Sequence, residues 1–546
     1  MGSRTLPHPF RGNVVHALVH LIAVTFAFTT APARADVPTR YEEQYKLMRA
    51  PNAVASVGTD LFGDTVNLYN GGLQFRHTDV SLPGNNALPV SIGRRITAGE
   101  YRLDGRAFGE WELDIPHIYL NVPHSVGWVN SSGTAARCSS FSQPAHAIGS
   151  SGSDWDPNEF WQGTFLYVPG AGAQQMLSRS AEDTASPGLA KDYPVVTSRF
   201  WNFSCLASVK GDAAAGSAGE GFVAISPDGI KYYFDWVARY TARSMFKSDP
   251  ASMSAMAMKA PPTTSGTRAS PSSLAAATTY TLFRDEMWVL PSKAVDRFGN
   301  TVTFTYDPAK PRNLTRIDSS DGRSITLTYV TDVNGNDQIG SVFDGTRTWR
   351  YSYHSTPGNP RSVTNLDVVT LPDNSTWNFA SFDTLLTPIT LVNNGGCDSP
   401  PLINTNTISG AITHPTGAVG SFTLTPTIHG RSHIQRICNI YTLSEALVVP
   451  RYFATQSLTS KSMSGPGLST LNWTYDYGPT NESWDTCTTC VTTKTVSVTN
   501  PASEVSRYTF GNEHNVSEGR LQLTETGWNG SSAMSSVSQR YRAFGA

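Results

Sequence analysis

Charge is the scarcest property of this chain. Asp, Glu, Lys and Arg make up 15% of its 546 residues, well below the ~25% of an ordinary soluble domain. Lys+Arg 41 against Asp+Glu 43 leaves a formal charge of −2. No excess of one sign therefore points to nucleic acid or an anionic membrane. No apolar run of membrane-spanning length follows Thr29. This composition excludes a coiled coil, a membrane bundle and a histone-like binder. Catalytic signatures are missing as well: the chain has no Gly-x-Ser-x-Gly elbow, phosphate-binding loop or His-Glu-x-x-His helix.

What is present favours many short strands. The chain is 39% hydrophobic and 10% aromatic, enough for a large core, with Gly 45 and Pro 34 punctuating a sequence rich in Ser and Thr. Trp 12, Tyr 21 and Phe 24 exclude disorder as the dominant state. The length suggests several structural units rather than one small domain.

The amino terminus reads as an export signal. Arg4 and Arg11 give it a positive start, Val14 to Thr29 is mostly apolar, and Ala33-Arg34-Ala35 is a small-x-small cleavage sequence. A short membrane anchor is the competing reading, but the apolar run is short for a span. Cleavage after Ala35 leaves an exported chain, secreted, periplasmic or on the cell surface. Cysteine use agrees with an oxidising compartment. Cys138, Cys205, Cys397, Cys438, Cys487 and Cys490 allow many pairings. Order along the chain suggests Cys138–Cys205, Cys397–Cys438 and Cys487–Cys490. The Cys487-Thr488-Thr489-Cys490 pair sits in a Thr/Val strand-like run rather than at a helix N-terminus, so a structural bridge is expected over a redox motif.

A turn-and-strand unit recurs. Counting from Gly299, the apolar residues Val302, Phe304 and Tyr306 alternate with Thr301, Thr303 and Thr305. Gly322 is followed in the same way by Ile325, Leu327 and Tyr329, and Gly229 by Tyr232, Phe234 and Trp236. Looser copies follow Asn374 and Gly417. After Gly345 the strand Trp349, Tyr351, Tyr353 is displaced by one residue. A period of two buries one face and leaves the Thr face wet. The spacings 322 − 299 = 23 and 345 − 322 = 23 mark units that stack because none buries its face alone.

These residues carry a family resemblance. Asp296-Arg297-Phe298-Gly299-Asn300, Phe304-Thr305-Tyr306-Asp307 and Leu314-Thr315-Arg316-Ile317 together resemble one unit of the Rhs/YD-repeat proteins. Asn500-Pro501-Ala502-Ser503, Arg507-Tyr508-Thr509-Phe510 and Gly519-Arg520-Leu521 resemble another, with Ser503 in place of the family's glycine and Gly511 in place of its aspartate. Asn67 to Arg95 is similar to the segment that precedes the repeats. The resemblance covers about half of the chain and thins between Pro357 and Thr470. It implies an all-β fold of short antiparallel strands in a repeat-built, spiralling sheet, a hollow shell around a toxin or adhesive domain. The family's Asp-Pro-x-Gly-Leu junction is absent, and nothing after Arg520 has the length of an effector. The expected organisation is a signal peptide at 1–35, an amino-terminal β-rich region at 36–222, a first repeat-like unit at 223–247, a flexible low-complexity loop at 248–279 and YD-like repeats at 280–546. Lys210 to Gly221 reads as a second, shorter loop.

Each chemical candidate has a plainer reading. Glu110, Glu112 and Asp114 alternate with Trp111, Leu113 and Ile115, and carboxylates two apart on a strand lie ~7 Å from each other, a spacing suited to glycoside hydrolysis. The plainer reading is a wet strand face. His414, His429, His433 and Cys438 have zinc-binding chemistry without a zinc framework. Asp154-x-Asp156-x-Asn158 and Asp332-x-Asn334-x-Asn336 resemble the start of calcium loops but lack the later ligands. Trp128, Trp155, Trp161 and Trp201 are candidates for sugar stacking or for the core. No cofactor and no metal is expected. The leading function is a secreted non-enzymatic scaffold that encloses a cargo or partner chain in a toxin or contact-dependent delivery system. A glycan-binding adhesin is the alternative, and a polysaccharide-cleaving enzyme the remote one.

Overall fold

A single turn geometry sets the sheet. Asp296 N donates to Asn300 O (3.1 Å) and Gly299 N to Asp296 O (3.2 Å), with Gly299 at φ +88°. This is a type I turn followed by one left-handed residue. The same two bonds close residues 226–230, 319–323, 332–336, 371–375, 414–418 and 500–504. Gly229, Gly322, Gly335, Asn374, Gly417 and Ser503 hold the left-handed position. Gly345 differs. There Asp344 N bonds to Arg347 O, which makes the glycine second of four residues instead of fourth of five. The shorter turn accounts for the one-residue displacement of Trp349, Tyr351 and Tyr353. Asp332 accepts from Asn334 N and Asn336 N (both 2.8 Å), so the calcium-like sequence is a turn cap.

The structure is a computed structural model that describes residues 61–100, 102–179, 192–248, 279–357, 362–393, 399–436 and 449–541. The expected signal peptide, Cys397, Cys438 and nearly all of the low-complexity loop lie outside the described residues. The fold is nearly all β, with many antiparallel strands in one large sheet that wraps into a barrel-like shell. Among the described residues no helix is long and apolar enough to cross a membrane.

The tyrosine of each repeat is a staple between neighbours. At Tyr306 the register with the next strand slips, and Leu314 stands opposite the bulge. The Leu314 carbonyl then accepts the hydroxyl of Tyr329, one repeat later, at 2.8 Å. Ile339 stands opposite the bulge at Tyr329, and its carbonyl accepts from Tyr353 at 2.6 Å. The pattern also joins Pro291 to Tyr306, Leu458 to Tyr477 and Leu521 to Tyr541. In each case the accepting residue lies opposite a register slip. A bulge frees a carbonyl inside the repeat sheet, and the next repeat's phenol satisfies it. Tyr306→Phe keeps the ring and strands the Pro291 carbonyl, so a loss of about 1–2 kcal/mol is expected in a denaturant titration. Asp307 completes the motif by accepting from Ala309 N at 2.9 Å in the following turn.

Strand β1 (Asp64–Val66), β2 (Leu73–Ser81), β3 (Ser91–Thr97) and β4 (Glu112–Leu113) form a separate antiparallel sheet in that order. Next comes β5 (His117–Pro123), which pairs with the long strand Thr279–Val295 through Arg284–Val289. From β5 the pairing runs through Phe165–Val168, Gly172–Ser178, Val195–Thr197, Asn202–Leu206, Gly221–Ile225 and Lys231–Ser248, and returns to Thr279–Val295 to close a ring. The farther end of Thr279–Val295 instead pairs with Thr301–Asp307, where the repeat sheet leaves the ring. That sheet continues to Ser535–Ser538. Cys138–Cys205 bridges a loop to a ring strand, and Cys487–Cys490 closes a loop between repeats.

The segment expected as a second loose loop is held in place. Lys210–Gly211 pairs with Trp236–Val237, Ser217 is fully buried, and the Arg137 guanidinium binds the carbonyls of Ser217 and Ala218. Its Gly/Ala composition reflects close approach to a ring strand: a Cβ on Gly211 would sit 2.4 Å from Val237 O.

Candidate functional site

The β1–β4 sheet and its flanks, residues 61–115, are packed into one core with the apolar faces of the repeats. We call this segment the plug and the repeat sheet the wall. Phe75 meets Phe422 (4.8 Å between ring centroids) and Phe382 (5.0 Å). Phe108 meets Tyr351 at 4.9 Å, and Trp111 meets Phe379 at 5.5 Å. Phe62 packs on Gly420, an inward position where a Cβ would come within 2.5 Å of the phenyl ring. The inward aromatics expected to line a hollow shell therefore close on a segment of the same chain.

Backbone contacts fix the plug at the wall's bulges. Leu458 N donates to Gly71 O (2.9 Å) and Ile339 N to Ala107 O (2.7 Å). Leu458 and Ile339 are residues whose carbonyls accept a repeat tyrosine. One register slip thus frees two polar groups: the carbonyl goes to the next repeat and the N–H to the plug.

The wet face expected for Glu110, Glu112 and Asp114 is a correction: all three are buried. A plug strand has protein on both faces, and neighbouring guanidinium groups replace water around the carboxylates. Glu112 meets Arg95, Arg102 (3.0 Å) and Arg106 (3.7 Å). Arg102 also pairs with Glu100 (2.9 Å), and Arg106 with Glu286 (3.1 Å) on the ring strand Thr279–Val295. Asp114 accepts from the Tyr167 hydroxyl (2.6 Å) and pairs with Arg76 (2.5 Å). Arg94 is bidentate to Asp79 (2.9 and 3.2 Å), and its guanidinium lies over the rings of both Trp111 and Phe379. A cavity of about 230 Å³ adjoins this cluster, lined in part by Arg76, Arg95, Arg102, Glu100 and Glu112. These pairings set guanidinium groups against the carboxylates on the plug strand.

The remaining candidates separate. His414 stacks edge-on against Trp377 at 4.5 Å. His433 bonds Glu513 (2.9 Å) and the Cys487 carbonyl (3.0 Å). His429 lies buried in the wall beside Lys494, and among the described residues no group of three His, Cys, Asp or Glu could hold a metal. Asp156 caps the short helix Pro157–Phe160 in a capping box with Glu159. Trp128, Trp155 and Trp201 are buried in the core, and Trp161 is partly buried against it. Sequence reasoning missed Lys461 and Lys494. Both stand at inward-facing positions of Thr/Ser-rich strands, and a lysine out of phase with the wet face was the signal available.

No family model matches the chain, and no curated protein matches it. Among solved structures, a crystal structure of TcdB2-TccC3 aligns with 86% of this chain at 9% identity and a TM-score of 0.14. The chain spans 27% of the length of that one, and a score so low bears on neither fold nor function.

Proposed function

We propose that this chain is an exported, non-enzymatic scaffold of the Rhs/YD-repeat kind, serving as a shell or carrier in a toxin or contact-dependent delivery system. Its wall holds a polypeptide against an aromatic inner face, and the polypeptide held is its own residues 61–115. The observation that supports this reading is the docking of plug carbonyls on wall N–H groups at the repeat bulges. Those contacts use backbone, so they suit enclosure of a chain rather than recognition of one side chain. Export, inferred from Arg4 to Ala35, accounts for the disulfides.

The test is to nick the plug and ask whether it stays. A specific protease site placed between Gly84 and Asn85, in an exposed turn, cuts within the plug, and the first cysteine lies beyond it at Cys138. The amino-terminal fragment is expected to co-elute with the rest under native conditions and to separate only in denaturant. A fragment lost without denaturant would refute the holding role.

A further inference from the structure

The tip of the plug, residues 67–72, meets the wall through one hydrogen-bond chain that is consistent with a single protonation state. Lys494 Nζ donates to Tyr69 O (2.9 Å) and to His429 Nδ1 (2.5 Å). With Nδ1 accepting, the ring proton sits on Nε2, which faces Thr455 Oγ1 (2.8 Å) and Ser457 Oγ (3.1 Å). Both hydroxyls donate onward to Asn70 O, at 2.5 and 2.8 Å. A Cβ on Gly71 would lie 2.4 Å from Ser457 Cβ, so the turn has no room to shift while docked.

Among the described residues, the groups that face this chain supply no counter-charge. The rings of Phe453, Tyr477 and Tyr69 surround it. Burial holds the phenols of Tyr69 and Tyr477 un-ionised, raising both well above their ordinary value. The Tyr69 hydroxyl donates to Asn512, and beyond it the Arg431 guanidinium is already bound to Glu518, which also takes His514. On the strand Tyr452–Gly465, Lys461 is bound to Asp64. Among the described residues no carboxylate hydrogen-bonds Lys494 or His429. A proton added to His429 would set its Nδ1–H against the Lys494 amine.

We propose that the Lys494–His429 cluster is an acid-sensitive latch, whose protonation releases residues 67–72 from the wall while the repeat strands stay paired. The proposal rests on the plug-and-wall reading above. Burial alone holds Lys494 down at about 7, and burial together with the Lys494 charge holds His429 well below its ordinary value. Both folded values lie under the free ones, so the released state binds more protons. Release therefore gains about tenfold per pH unit as pH falls towards 7 through Lys494, and again per unit below ~6.5 through His429. His77 within the plug and His117 on β5, also buried and held below their ordinary values, add acid sensitivity elsewhere, so variants must isolate the latch.

Hydrogen exchange on the full chain at pH 8, 6.5 and 5, corrected for intrinsic rates, tests this. Protection of residues 67–72 is expected to fall about a hundredfold from pH 8 to 5 while strand Thr301–Asp307 keeps its protection. His429→Gln should flatten the part below 6.5 and Lys494→Met the part between 8 and 7, which keeps the test alive should one variant not fold. Unchanged protection at pH 5, loss in step with Thr301–Asp307, or a full response in both variants would overturn the latch. Residues 67–72 unprotected already at pH 8 would overturn the plug itself, a different result.

Discussion

Glu112→Ala is expected to destabilise the protein by about 3–5 kcal/mol, read as a lowered midpoint in guanidinium chloride followed by tryptophan fluorescence. Glu112 is 2% exposed and stands among Arg95, Arg102 and Arg106. Its removal takes a carboxylate from three guanidinium groups, of which those of Arg102 and Arg106 are buried and keep their pairings with Glu100 and Glu286. Glu112→Gln retains the shape and loses the charge, so most of the cost should persist. A change under about 1 kcal/mol would mean that the cluster is solvated in solution. The same pair of variants bears on the remote enzymatic reading, because a catalytic Glu112 would be replaceable without loss of fold.

Asp64→Ala should cost a similar amount, about 3–5 kcal/mol, and Lys461→Met introduced with it should recover most of that loss. Asp64 Oδ2 and Lys461 Nζ are 2.6 Å apart, with side chains 0% and 2% exposed, and join plug strand β1 to the wall strand Tyr452–Gly465. The lysine lies 5.8 Å from the Phe422 ring and 5.3 Å from that of Trp473. Losing the aspartate takes away the carboxylate 2.6 Å from a buried ammonium that lies among aromatic rings, whereas a methionine fills a similar volume without charge. A double-mutant cycle reads the coupling directly. No recovery in the double variant would assign the stability to something other than charge compensation.

The repeat architecture was legible because it is local. The alternation of Val302, Phe304 and Tyr306 with threonine, and the Asp-Gly steps, state strand and turn within a few residues. Even the slipped unit after Gly345 was visible, although its cause, a turn shorter by one residue, needed the hydrogen bonds. Glu110, Glu112 and Asp114 misled for the opposite reason. Alternation reports two faces of a strand but not what covers each, and a charged face reads as wet unless the cations that replace water can be seen. Those cations sit at Arg95, Arg102 and Arg106, near in sequence, and Glu286 far away.

By itself, then, the sequence determined the class of the fold, the direction each repeat strand faces, and the turn residues, since period and φ preference act over a handful of neighbours. Tertiary structure alone decided that the wall closes on residues 61–115. It also decided that the repeat tyrosines reach the carbonyls of the preceding unit, and that Lys461 and Lys494 become buried partners of the plug. Those facts depend on contacts such as Asp64–Lys461 and Tyr69–Lys494, made between segments hundreds of residues apart. Their energy comes from excluding water on both sides of a strand, and no local pattern records which distant surface does the excluding.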